Sequence, residues 1–443
     1  MQHVRRFCLF LVPVALVALV ITLLTGQIEP AKIAGVTAAL ALALGLGSVP
    51  ALRTFSFTAW IIAAVTAAML YPQAFQSIGG VSLREKWIIL LVVQVVMFGM
   101  GTQMALHDFV EVAKAPRGVL VGILCHFSVM PLIGFGLTKV FHFDPDIAAG
   151  IILIGSCSSG LASNVMAYIA KANLGLSVAV TAITTMIAPF MTPLLMKWLA
   201  GNAVTLSFLE MMIEIIKTVI VPIAAALLHD YLKTASPKGI RTVGILSSIA
   251  GAWLGLLAGG GWDFLASRLS HGALLSIELF SYLLASVVVG QIYHFFVRRL
   301  PSIPKWMPVF SMAGIVYFTT VTTAAGRNNL LAVGPLLFLA SVLHNALGYF
   351  FGYVLSRAAG LDVNSARSVA FEVGLQNGGM ATSLANSMGK IATMGLAPAI
   401  FSPWMNVSGS LLANYWRRRP VPRSPGTLPE DADKASLEAS QKN

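Results

Sequence analysis

Between Phe371 and Asn386 the chain reads FEVGLQNGGMATSLAN. A carboxylate, Glu372, stands beside the amides Gln376 and Asn377, and two glycines follow at once. The chain around them is 57% hydrophobic and only 10% charged. A plain apolar helix needs none of these groups. A carboxylate in such surroundings either holds a cation, which keeps it ionised, or is a protonated or salt-bridged structural group. For a cation, the adjacent glycines free backbone carbonyls to join it. A second polar interruption, GSCSSGLASN, runs from Gly155 to Asn164. Glu210, Glu214 and Lys217 share one apolar segment. Glu214 and Lys217 are three apart and pair on one helix face, which reads as mutual neutralisation near a cavity wall. Cys8, Cys125 and Cys157 lie in apolar runs without CxxC spacing, so neither a disulfide nor a metal site is expected. HExxH and P-loop motifs are absent, as is a GxSxG carrying a triad, which argues against an enzyme.

The elements that position these groups are membrane helices. The chain has 443 residues and a mean hydropathy of +0.82, against the roughly 25% charged residues of ordinary soluble domains. Segments of spanning length fall near 6–25, 31–50, 55–71, 87–104, 118–141, 147–169, 174–199, 205–228, 242–258, 272–296, 307–325, 328–355, 368–388 and 391–415. The segments 55–71 and 242–258 are the weakest, since about 20 apolar residues span a bilayer. The runs are long, rich in Leu and Ala and do not alternate, which argues against strands. The net charge of +12 does not indicate nucleic acid, because the basic residues do not cluster with aromatics. With the N-terminus inside and the segments alternating, most Lys and Arg fall on the cytoplasmic side, including Arg298, Arg299, Lys305 and Arg417–Arg419. This predicts a multi-pass protein of the inner (plasma) membrane with both termini cytoplasmic. The first segment also has the basic start of a signal peptide, but its apolar core is long and no clean cleavage site follows. Residues after Pro420 read as a disordered tail.

Two halves of the chain resemble one another. Met166–Ala167 precedes Pro189 by 23 residues, and Met380–Ala381 precedes Pro403 by the same 23. His126 is followed eight residues later by Gly134–Phe135, and His344 eight later by Gly352–Tyr353. Gly-interrupted polar segments at corresponding places in two halves point to a secondary transporter with broken helices meeting at mid-membrane. Freed backbone groups survive there only where a cavity, ion or ligand takes them up.

The stretches ASNVMAYIAKANLGLSVAVTA and EVGLQN resemble the bile acid:sodium symporter family, and the resemblance extends over about 55–231 and 305–416. It implies an all-α polytopic membrane protein of two inverted five-helix repeats, with panel and core domains and two crossing discontinuous helices. About four helices are extra. The expected division is an N-terminal hairpin over 1–54, a first repeat over 55–200, a second over 201–416 with an inserted pair near 240–298, and a tail over 417–443. The resemblance also implies sodium-driven uptake of organic anions.

Residue by residue, the family's first sodium site matches Ser163, Asn164, Ser177, Thr181 and Glu372. Ser177 and Thr181 are four apart, so they face one way. Sodium, a small hard cation, prefers such oxygens. The second site matches Glu372, the backbone of Val373 and Leu375, and Gln376. The family's remaining ligand, a Gln, is His126 here. That departure weakens the second site, leaves it to another oxygen, or makes it pH-sensitive; a core histidine bonded to backbone is the other reading of His126. For substrate, the resemblance points to Gly160, Leu161, Asn377, Gly378, Gly379, Met405 and Asn406. The family's Pro-Gly-Gly-Thr is Ser158–Ser159–Gly160–Leu161 here, and Met405 stands where some members have His. The function expected is sodium-coupled symport of a small carboxylate, such as a keto acid, pantoate or bile acid, by alternating access. Proton-coupled or facilitative transport, or a sensor or channel on the same fold, are the alternatives. The expected partners are sodium, the anion and the lipid bilayer, without nucleic acid; the oligomeric state is left open.

Overall fold

A computed structural model describes residues 2–49, 52, 55–107, 116–203, 205 and 207–421. Each apolar segment marked above is helical over most of its described length, and the segments 147–169 and 368–388 are each split into two helices. They form α1 (Gln2–Leu24), α2 (Ile28–Gly45), α3 (Ser56–Leu70), α4 (Lys86–Gly101), α5 (Pro116–Phe141), α6 (Pro145–Ser156), α7 (Ala162–Ile169) and α8 (Leu174–Leu199). There follow α9 (Phe208–Thr234), α10 (Pro237–Ala266), α11 (His271–Arg299), α12 (Ile303–Ala325) and α13 (Arg327–Ala358). The last are α14 (Val363–Gly374), α15 (Gly378–Ser387) and α16 (Leu396–Arg417). Nine helices among the described residues are long and apolar enough to cross a membrane. The protein is an all-α, multi-pass membrane protein. The tail assigned to 417–443 lies largely outside the described residues.

Three details depart from the sequence expectation. A short hairpin, β1 (Ser77–Ile78) and β2 (Val81–Ser82), pairs antiparallel between α3 and α4. The segment 242–258 is part of a longer helix from Pro237 to Ala266, started by the Ser236 side chain, which caps Gly239 N–H. Its far end contains a wide turn over Leu257–Gly261, where Gly260 has a φ of +102°, a conformation that favours glycine. In α9 the residues Ile216–Ile220 form a π-helical turn. Such turns have no sequence signature and often occur at functional sites.

The helices form two packed groups. One is a row in which α1 packs on α2, α2 on α3, α3 on α12, α12 on α4, α4 on α9, α9 on α11 and α11 on α10. The first pair and α10–α11 therefore flank the row at opposite ends. Gly290 lets α11 lie close to α9, since a Cβ there would meet Ala225 O at 2.6 Å. The second group is a bundle of α5, α6, α7, α8, α13, α14, α15 and α16, built around buried residues such as Met130, Leu153, Phe371 and Phe401. Polar ties fix its ends. Arg117 bonds Ala359 O and Arg367 bonds Arg419 O at the end that carries the C-terminus. At the other end Lys390 pairs with Asp146, and Arg327 Nε bonds Met69 O of the row.

Candidate functional site

Both polar interruptions break a helix. The first lies between Ser156 and Ala162, the second between Gly374 and Gly378. The two breaks pair with each other. Ser159 and Gln376 form an antiparallel bridge. Gly160 N–H donates to Leu375 O at 3.0 Å, and Asn377 N–H to Ser158 O at 2.9 Å. Backbone groups released by one break thus satisfy those of the other, as a medium without water requires. The crossing is close enough to demand glycine: a Cβ on Gly160 would lie 2.7 Å from Gln376 O.

Glu372 lies two residues before the second break, fully buried. Ser177 Oγ donates to its Oε1 at 2.5 Å and Thr181 Oγ1 to its Oε2 at 2.7 Å. The same two hydroxyls approach Asn164 Oδ1 at 2.9 and 3.2 Å. Ser163 Oγ donates to Gly160 O and lies 3.3 Å from Thr181 Oγ1. The structure thus brings together the five residues that the family resemblance grouped. Their positions are set from outside the cluster. Asn173 caps α8, accepting from Leu176 N–H, while its Nδ2 reaches Ser365 and its carbonyl takes Ser368 Oγ. This ties the start of α8 to α14, so Ser177 and Thr181 face Glu372.

The cluster is rich in acceptors and poor in donors. Each hydroxyl has one proton to offer, yet the two must serve two carboxylate oxygens and an amide oxygen. No lysine or arginine pairs with Glu372 among the described residues. Nor do the described residues hold a group of three or more His, Cys, Asp and Glu. One carboxylate, hydroxyls and an amide oxygen suit a hard cation of low charge.

The second group is differently arranged. Gln376 Nε2 donates to Val373 O at 2.7 Å, and Leu375 O receives Gly160 N–H and Ser159 Oγ. Gln376 Oε1 is buried without a hydrogen-bond partner among the described residues. The His126 ring spans both breaks. Its Nδ1 lies 2.9 Å from Glu372 O and its Nε2 2.8 Å from Cys157 O. A neutral imidazole has one N–H, yet both nitrogens face carbonyl oxygens. His344, its counterpart in the second half, touches Met130 O through Nε2.

Of the residues expected at the substrate, Asn377 caps α15, accepting from Met380 N–H, and its Nδ2 reaches Ser158 Oγ at 3.4 Å. A Cβ on Gly378 would collide with Ser402 Oγ, and one on Gly379 would lie 2.7 Å from Met97 Cε of α4. This stretch therefore faces the boundary between bundle and row. Met405 Sδ accepts from Gln376 N–H, and Asn406 Nδ2 donates to Ser402 O on its own helix. Leu161 is half-buried just before α7. Sequence reasoning missed Ser159, Asn345 and Ser408. Asn345 Nδ2 donates to Gly374 O at the second break, and Ser408 Oγ donates to Asn345 Oδ1. Asn345 directly follows His344, so the repeat comparison pointed within one residue of it.

Residues 90–259 match the family described as Sodium Bile acid symporter family. The chain is 30% identical over 373 residues to the uncharacterized sodium-dependent transporter YocS of Bacillus subtilis, covering 84% of this chain and 94% of that one. It is 28% identical over 365 residues to the probable sodium/metabolite cotransporter BASS1, chloroplastic, of Arabidopsis thaliana, covering 82% and 73%. Against the human ileal sodium/bile acid cotransporter it is 27% identical over 317 residues, covering 70% and 72%. These relatives are named as transporters, and none of the three names describes an enzyme. The chain belongs to the sodium bile acid symporter family of sodium-coupled transporters.

Proposed function

We propose that this protein is a secondary active symporter that uses one tightly held sodium ion to drive a small organic anion across the plasma membrane. The observation that carries the reading is the donor-poor oxygen cluster of Ser163, Asn164, Ser177, Thr181 and Glu372, sealed beside two paired helix breaks. Sodium seated there replaces the two hydroxyl protons as the partner of the carboxylate. Gln376 Oε1 and the carbonyls of Val373 and Leu375 form the second position. His126 stands where the family supplies an oxygen ligand to this position, and its ring nitrogens face the carbonyls of Glu372 and Cys157 instead. With one ligand missing, the second position stays empty and one sodium moves per cycle.

The anion binds beside the crossing, against Gly160, Leu161, Asn377, Gly378, Gly379 and Asn406, with Met405 beneath. Its carboxylate is favoured by the N-terminal ends of α7 and α15, where the helix dipole is positive. A keto acid, pantoate or bile acid has this chemistry. Chain 55–200 and chain 201–416 act as inverted repeats, with an inserted pair near 240–298. The bundle (core) moves against the row (panel) to expose the site alternately, and both termini stay cytoplasmic. A thermal-shift screen of organic carboxylates, in sodium and in choline, tests this reading, because a bound ligand stabilises the fold by mass action. Stabilisation by a carboxylate that is larger in sodium is expected. Equal shifts in the two salts would contradict coupling.

A further inference from the structure

Lys217 lies in the π-helical turn of α9 and is buried. Its ammonium pairs with Glu214 Oε1 of the same helix at 2.7 Å and with Glu278 Oε1 of α11 at 2.6 Å. The Tyr282 ring, also on α11, lies 5.3 Å away. Two carboxylates and a ring face leave the ammonium fully engaged. Glu214 has a second contact: its Oε2 accepts Ser387 Oγ at 3.1 Å. Ser387 is the last residue of α15, the half-helix that follows the second break. A chain of polar contacts therefore runs from α11, through α9, to the half-helix that follows the second break. It borders a cavity of about 220 Å³ that opens between α4, α9, α11 and α15 and is lined also by Lys86 and Asn386.

This arrangement has a physical consequence. Buried charges are retained only when paired. Glu214 alone would neutralise Lys217, yet α11 contributes a second carboxylate. That carboxylate holds the ammonium, and with it Glu214, where Oε2 can reach Ser387. The neighbouring cavity gives α15 room to shift against α4. We propose that Glu278 is a positioning residue for transport: through Lys217 and Glu214 it latches α15 to the row, at the end of the bundle remote from the C-terminus, and the latch opens once per cycle. The helix pair α10–α11 is on this view part of the transport machinery. The inference rests on the symporter reading above.

The test uses the full-length protein in nanodiscs. Spin labels are placed at Arg84→Cys, just before α4, and at Asn328→Cys, in the first turn of α13. Both positions are exposed, whereas the native cysteines are buried. The distance distribution is read by pulsed electron resonance with and without sodium. Glu278→Gln leaves Lys217 its Glu214 partner, and Ser387→Ala removes the last contact of the chain together with the bond from the same hydroxyl to Ser383 O on its own helix. Both are expected to raise the population of a second, more separated distance roughly tenfold, the value of a hydrogen bond to a charged group. Exchange of the pair, Lys217→Glu with Glu278→Lys, is expected to restore the parental distribution. A parental distribution in folded Glu278→Gln and Ser387→Ala would overturn the latch. Sodium-dependent stabilisation, measured on the same samples, is expected to be unchanged in both variants. Its absence from the parent would count against the symporter reading while leaving the latch result intact.

Discussion

Replacing Glu372 by glutamine removes one formal charge and little volume. Both carboxylate oxygens face hydroxyls, Ser177 at 2.5 Å and Thr181 at 2.7 Å. Glutamine keeps one oxygen for one of them and turns the other position into a donor. The fold survives, because a buried amide among hydroxyls retains hydrogen-bond partners. The cation does not keep its partner. Two unit charges about 4 Å apart at an effective dielectric near 20 attract by about 4 kcal/mol. Loss of that attraction weakens sodium roughly a thousandfold. The assay is thermal stability against sodium concentration at fixed ionic strength. At sodium about 100 times the parental Kd, binding stabilises the parent by about 2.7 kcal/mol. Glu372→Gln, then at about a tenth of its own Kd, gains about 0.1 kcal/mol or less. Glu372→Asp, which keeps the charge on a shorter stem, is expected to fall between them. Parental sodium stabilisation in Glu372→Gln would refute the assignment of the ion to this cluster.

The remaining predictions concern the crossing and the topology. His126→Gln frees one of the two carbonyls that the ring now holds and adds an amide oxygen beside Gln376; the Hill coefficient for sodium is expected to rise from about 1 toward about 2, its limit being the number of sites. An unchanged coefficient would show that His126 only fastens the breaks. Gly160→Ala places a methyl against Gln376 O, a backbone atom that cannot rotate aside, and overpacking of this kind costs about 1–3 kcal/mol; a melting temperature equal to the parent's would mean the breaks lie farther apart. Reporter fusions after Lys233 and after Arg419 should both read cytoplasmic, and a periplasmic reading at either would reverse the orientation.

The helix breaks were legible because their signals are local, whereas the grouping of Ser163, Asn164, Ser177 and Thr181 with Glu372 came from the family resemblance. Gly and Ser interrupt long apolar runs at Gly155–Asn164, and Glu372 is conspicuous in a chain with so few charges. Ser177 and Thr181 share a face by helical periodicity alone. The remainder depends on contacts between distant segments. Nothing near Lys217 announces that Glu278, sixty-one residues on, completes its ion pair. The π-helical turn that carries Lys217 has no compositional mark. Glu210, grouped with that pair in sequence, instead forms a capping box with Ser207 at the start of α9. Ser159 reaches Leu375 O across the crossing and Ser408 reaches Asn345 on a neighbouring helix, contacts that periodicity does not reveal. The role of His126 was open in the sequence because a histidine can ligate an ion or bond to backbone. The geometry puts carbonyl oxygens at both nitrogens.

The central claim is that a sodium gradient drives an organic anion through this protein. Its most direct test is accumulation of labelled carboxylates by proteoliposomes under an imposed inward sodium gradient. The expected result is accumulation above the outside concentration for at least one carboxylate, lost when a sodium ionophore collapses the gradient and lost in Glu372→Gln. Uptake that persists without the gradient, or that follows a proton gradient instead, would contradict the account.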